Sequence, residues 1–106
     1  MPELLSTQTI ERDLAGLAGW EYTDGKLRRT YERKGFLSAT SLVNAIAYLA
    51  NESKHHPDIT LHDYNQVTVT LVTHAEGGVT RYDVDLARSI ETLVAEPIGG
   101  ATERDN

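Results

Sequence analysis

The chain has 106 residues, enough for one domain with a single core and too few for two. Its formal net charge of −6 argues against general nucleic-acid binding, which needs a basic face. With no cysteine it has neither disulfides nor thiolate chemistry, and no apolar run approaches the length of a membrane span.

The N-terminus lacks a basic-then-apolar signal pattern, so the cytoplasm is the default expectation. The first helix is expected from Ser6, whose hydroxyl can cap it, with Leu5 and Ile10 as a hydrophobic staple across the cap. Ile10, Leu14 and Leu17 follow on one face, and Gly16 and Gly19 weaken its end. Trp20 to Thr23 reads as a strand, Asp24-Gly25 as a two-residue turn, and Lys26 to Arg33 as the return strand. Basic residues cluster here at Lys26, Arg28, Arg29, Arg33 and Lys34, a pattern expected of a solvated strand face.

A second helix is predicted from Phe36 or Ser38 to about Ser53, because Ala39, Leu42, Val43, Ile46, Leu49 and Ala50 keep a 3.6-residue period. It stops as His55-His56-Pro57 begins. Two strands follow, Ile59 to Asp63 and Gln66 to Thr73, joined by a turn around Tyr64-Asn65. Val67, Val69 and Leu71 face the core in this reading, which sends His74 to the open face or its rim. Gly77-Gly78 makes a loop. Thr80 caps the last helix, with Asp83 at its third position as a variant capping box. Leu86, Ala87, Ile90, Leu93 and Val94 form its buried stripe. Pro97 and Gly99-Gly100 end the fold, giving a single domain over 1–98 and a mobile tail over 99–106. The element order predicts an α+β two-layer sandwich: a four-stranded antiparallel sheet with three helices on one face.

All four histidines lie between positions 55 and 74. Histidine changes charge near neutral pH, so such grouping points to proton transfer or metal binding. In an antiparallel hairpin the start of one strand lies beside the end of the next, which allows His55, His56 and His74 to converge. A metal site is disfavoured because adjacent residues in an extended segment point to opposite sides, and no helical His-x-x-x-His is present. There is no nucleophile elbow, and Gly77-Gly78 lacks the remaining glycines and the lysine of a phosphate loop. General acid–base catalysis fits best: two imidazoles flanking a flat substrate take one proton and deliver another. Trp20 and Tyr64 offer flat surfaces for a heterocycle, and Asp83 could orient an imidazole.

The spacing His55-His56-Pro57, six residues, Tyr64, nine residues, His74, eight residues, Asp83 resembles the signature of the pterin-4a-carbinolamine dehydratases. Thr73-His74-Ala75-Glu76-Gly77-Gly78-Val79-Thr80 is similar to the family's Thr-His-x-x-Gly-Gly-x-Thr, and Gly19-Trp20 matches its early Gly-Trp. The resemblance spans about residues 8 to 95. Asn51 stands where the family's signature usually has an ionisable residue.

The resemblance implies a dehydratase that removes water from 4a-hydroxytetrahydropterin to give quinonoid dihydropterin in tetrahydrobiopterin recycling, with no metal and no organic cofactor. Carried over, His55 and His74 would handle the protons and His56 would hold the substrate. Backbone groups of Lys54, Val72, Thr73 and Ala75 would line the pocket, Trp20 would shape its wall, and Asp83 would complete it. The resemblance also implies a homodimer or homotetramer, with no direct nucleic-acid or membrane partner. Some family members serve instead as a dimerisation cofactor or an assembly factor. A non-catalytic interaction module on the same fold is therefore the alternative.

Overall fold

Ser6 opens the first helix as expected, its Oγ accepting from the Thr9 amide at 3.1 Å. In a computed structural model that describes residues 2–95, helix α1 runs over Thr7–Leu14. The expected tail and the chain end at Pro97, Gly99 and Gly100 lie outside the described residues. Leu17 falls beyond α1, in a turn where its amide donates to the Leu14 carbonyl, yet it is still buried.

Strands β1 (Glu21–Thr23) and β2 (Lys26–Glu32) form the first hairpin. Its two-residue turn needs positive φ at both positions, and Asp24 (53°) and Gly25 (74°) supply them. Helix α2 spans Phe36–Ser53, and the Gly35 amide at its start donates to Ser38 Oγ at 3.2 Å. Strands β3 (Asp58–His62) and β4 (Gln66–Leu71) form the second hairpin. A short 3-10 turn over His74–Glu76 leads to helix α3, Arg81–Ala95.

The four strands make one antiparallel sheet in the order β1-β2-β4-β3. Register aligns Leu27 with Leu71, Tyr31 with Val67, and Ile59 with Val69. One face is thereby apolar across β2, β4 and β3, and it packs with Ile10, Leu42, Ile46, Leu86 and Ile90 of the three helices. Alternation sends Thr30, Thr60, Thr68 and Thr70 to the opposite, polar face, where the Thr30 and Thr68 hydroxyls bond at 2.8 Å. The predicted α+β sandwich is thus the observed fold. No helix among the described residues is long and apolar enough to cross a membrane.

The basic strand departs from expectation at Arg29. Lys26 and Arg28 alternate onto the polar face, but Arg29 shares the parity of Leu27 and Tyr31. Its guanidinium lies 4.4 Å from the Tyr31 ring centre and pairs with Glu91 of α3 at 3.5 Å. A cation can lie on the helix side because the pairing of β1 with β2 ends at Glu21 and Arg28, one residue short of Arg29, and the guanidinium keeps partial contact with water.

Candidate active site

The end of α2 determines where the first two histidines go. Lys54 takes a left-handed conformation (φ 57°), its amide bonds to the Asn51 carbonyl, and the His55 amide reaches back to the Ala50 carbonyl. These two bonds make a Schellman motif, which stops the helix sharply. Pro57 then keeps His56 out of helical geometry, and β3 begins at Asp58.

His55 turns inward and meets α3. Its Nε2 lies 2.6 Å from Asp83 Oδ1, and its ring tilts against Tyr82 with centres 5.8 Å apart. The imidazole side chain is 14% exposed, whereas Asp83 is fully buried. A buried carboxylate is costly unless its acceptor sites are filled. Here Oδ2 also accepts from Thr73 Oγ1 at 2.8 Å and from the Thr80 amide at 2.9 Å. The Thr80 bond is half of the expected capping box; Thr80 Oγ1 caps the helix by accepting from the Tyr82 amide at 3.2 Å instead of the Asp83 amide, which bonds the Thr80 carbonyl.

Through Asp83, the segment before β3 is tied to the segment after β4. Thr73 bonds Asp83, and the next residue is His74. The Thr73 amide donates to the Gly78 carbonyl at 2.9 Å, and its own carbonyl accepts from Glu76 and Gly77 at 3.0 Å each. The loop closes on itself and presents His74 and Ala75 exposed on a tight turn. Gly77 ends that turn at φ 75°, a conformation that disfavours any side chain.

His56 takes the other side of the chain. It lines a groove of about 530 Å³ with Asn44, Tyr48 and Asn51 of α2 and Ile59 of β3. A second cleft, about 200 Å³, lies beside His55 and is bordered by Ser53, Tyr82, Asp85 and Ser89. Small-molecule sites run from about 300 Å³ upward, so of these two clefts the His56 groove is of ligand size. The adjacent histidines therefore diverge, so His56 does not join His55 in the convergence expected of the three histidines, because neighbours in an extended segment point to opposite sides.

Two aromatic residues singled out in the sequence are not brought to this region. Trp20 is buried in the core, and its Nε1 donates to Glu91 Oε2 at 3.0 Å. Glu91 lies eight residues beyond Asp83, roughly 12 Å along the helix axis. Tyr64 is exposed at the tip of the β3–β4 hairpin, at the end of the strands away from Asp58. His62 is at that same end, bonded to Asp63 and to Thr68 Oγ1, both at 2.8 Å. Sequence reasoning did not find Asn44, Tyr82 or Glu91. Asn44 and Asn51 are seven positions apart on the exposed side of α2, and that polar pair was the one available signal.

The family model described as pterin 4 alpha carbinolamine dehydratase matches residues 3–93. The chain belongs to this family. A Thermosynechococcus vestitus protein provisionally named a pterin-4-alpha-carbinolamine dehydratase is 42% identical over 93 residues, covering 88% of this chain and 97% of that one. A Thermomicrobium roseum protein of the same provisional name is 44% identical over 91 residues, covering 86% and 97%. Among solved structures, a transcriptional coactivator/pterin dehydratase from Brucella melitensis superposes with a TM-score of 0.80 at 32% identity, covering 86% of this chain and 98% of that one. A pterin dehydratase-like protein described as a RuBisCO assembly factor of the alpha-carboxysome shares the fold, with a TM-score of 0.57, 18% identity, and coverage of 73% and 88%.

Proposed function

We propose that this protein dehydrates 4a-hydroxytetrahydropterin to quinonoid dihydropterin and water, as a step of tetrahydrobiopterin recycling. In that reaction the C4a–O bond breaks as the N5 lone pair forms a double bond to C4a. The N5 proton leaves to one base, and the departing hydroxyl takes a proton from an acid. His55 and His74 share these transfers, and His56 holds the bicyclic ring. Asp83 acts behind His55. Lys54, Val72 and Ala75 supply backbone to the site, and the chemistry uses no metal or organic cofactor.

The observation that supports this reading is the buried Asp83 carboxylate gripping His55 at 2.6 Å, in a chain of the dehydratase family. An imidazole held by a buried carboxylate is oriented for proton transfer. The test is dehydration of chemically prepared 4a-hydroxytetrahydropterin by the purified protein, compared with His74→Ala. A rate no higher than that of the buffer would overturn the reading.

We also propose a homodimer or homotetramer. Helix α2 carries no charged residue from Phe36 to Asn51, although Phe36, Leu37 and Tyr48 are exposed. In a chain of net charge −6, an uncharged face is where a second copy meets the least repulsion. Light scattering that gave a monomer mass at micromolar concentration would refute this. The same face supports the second reading, a non-catalytic interaction module, which an inactive but folded protein would favour.

A further inference from the structure

The capping box explains why Thr80 and Asp83 meet, but it does not call for Thr73. Thr73 comes from the far side of the 3-10 turn and is 7% exposed, while Thr80 and Asp83 are fully buried. We propose that Thr73 and Thr80 are positioning residues: their hydroxyls hold the proton between Asp83 and His55 on the imidazole, leaving Nδ1 of His55 as the free lone pair. This rests on the proposed catalytic use of His55 for its effect on rate, but not for the proton placement itself.

Hydrogen-bond accounting gives the direction of each proton. A hydroxyl has one proton to donate. Thr73 donates its proton to Asp83 Oδ2 at 2.8 Å. The 2.7 Å contact between Thr73 Oγ1 and Thr80 Oγ1 must then use the proton of Thr80. Thr80 Oγ1 in turn accepts from the Tyr82 amide. The chain runs one way, from the Tyr82 backbone through both hydroxyls to Asp83. With the Thr80 amide, Asp83 Oδ2 receives two donors that cannot reverse while this chain is intact.

The contact between Asp83 Oδ1 and His55 Nε2 can be bridged in two ways, which differ by one proton in total. If Asp83 is a neutral acid it donates to Nε2, and His55 then carries a second proton, on Nδ1. If Asp83 is a carboxylate, a neutral His55 donates to it from Nε2 and leaves Nδ1 bare. Donors aimed at Oδ2 favour the carboxylate. Burial strengthens each of these bonds, because no water competes for them. The Thr73–Thr80 chain therefore selects the Nε2–H form. An imidazole in that form can accept a proton at Nδ1, which assigns His55 as the base and leaves the acid role to His74. Neither threonine needs to touch the substrate for this.

The test is long-range proton–nitrogen correlation NMR on protein labelled with 15N-histidine at neutral pH. The wild type should show His55 with Nε2 protonated and Nδ1 bare. Thr73→Val keeps the shape and removes the donor, and should move His55 toward the Nδ1–H form. Its kcat should fall about tenfold with KM held within about twofold, because a hydrogen bond to a charged group is lost away from the substrate. The acid limb of its pH–rate profile should move to higher pH, since a carboxylate with one donor fewer holds the imidazolium more tightly. Thr73→Ser should restore all three readouts. A wild-type His55 in the Nδ1–H form would overturn the proposal with no variant needed, even if Thr73→Val failed to fold. An unchanged tautomer and pH profile in folded Thr73→Val would also overturn it. The NMR readout needs no pterin. A protein inactive as a dehydratase but holding the Nε2–H form would therefore reject the catalytic reading while supporting this one.

Discussion

His55 and Asp83 are 28 positions apart in the chain, and their side chains meet at 2.6 Å. That contact joins the end of α2 to the first turn of α3, so it belongs to the fold as much as to the site. Asp83→Ala removes the acceptor for Thr73, the Thr80 amide and His55 together. Buried donors left unmatched are expensive, and the loss should be about 2–4 kcal/mol in urea denaturation. Asp85→Ala, two residues on and exposed, should change stability by less than about 0.5 kcal/mol.

The histidines should separate by role. His55→Ala and His74→Ala should each lower the dehydration rate about 10²–10⁴-fold, the usual cost of one acid–base group. His56→Ala should raise KM more than it lowers kcat, since His56 is assigned to holding the substrate. His62→Ala should stay near wild type in rate, because its ring is engaged by Asp63 and Thr68 at the distal end of β3. Steady-state kinetics on the four variants decides it. Equal damage from His62→Ala and His74→Ala would reject the site.

Tyr31 should make the fold sensitive to alkali. Burial, then its hydrogen bond to the Glu91 carboxylate and the charge of that carboxylate, push the phenol well above its ordinary value of 10.0. In the unfolded chain it ionises near the ordinary value. The contribution to stability is therefore full below about pH 10 and is lost as pH rises from there toward the folded value. Tyr31→Phe removes this dependence. At pH 7 it should be about 1–2 kcal/mol less stable than wild type, for the lost bond to Glu91. Its Tm should fall less than wild type between about pH 9 and about pH 11, read by circular dichroism.

Lys54 holds a left-handed conformation that a side chain resists. Lys54→Gly relieves it at the C-terminal cap of α2 and should add about 1 kcal/mol of stability. Thermal denaturation checks it. A lower Tm would mean that the lysine side chain contributes more than the backbone strain costs.

Local order carried much of the architecture into the sequence. Ser6, the Asp24-Gly25 turn, the period of α2, and Thr80 with Asp83 each act within a few residues, so each could be read where it stands. Alternation along β2, β3 and β4 likewise gave the apolar and polar faces. Arg29 and Leu17 escaped that reading because strand parity and helical spacing do not say where a partner strand or a helix ends. The three catalytic candidates were marked by their spacing, and Asp83 by its capping position.

The chain by itself determined the elements, the sheet faces and the family to which it belongs, because those depend on periodicity, caps and motif spacing. Only the tertiary structure decided which atoms share the site. It sent His55 to Asp83 and His56 to the groove on the other side, because the left-handed Lys54 and the extended segment after it orient adjacent side chains oppositely. It bound Trp20 to Glu91 and left Tyr64 at the far hairpin tip. It placed Thr73 against Asp83 across ten positions of chain, a meeting that depends on how β4, the turn at His74 and α3 pack together. Local propensity has no term for such a contact, since a long-range hydrogen bond forms only after distant elements have been packed to within 3 Å of each other.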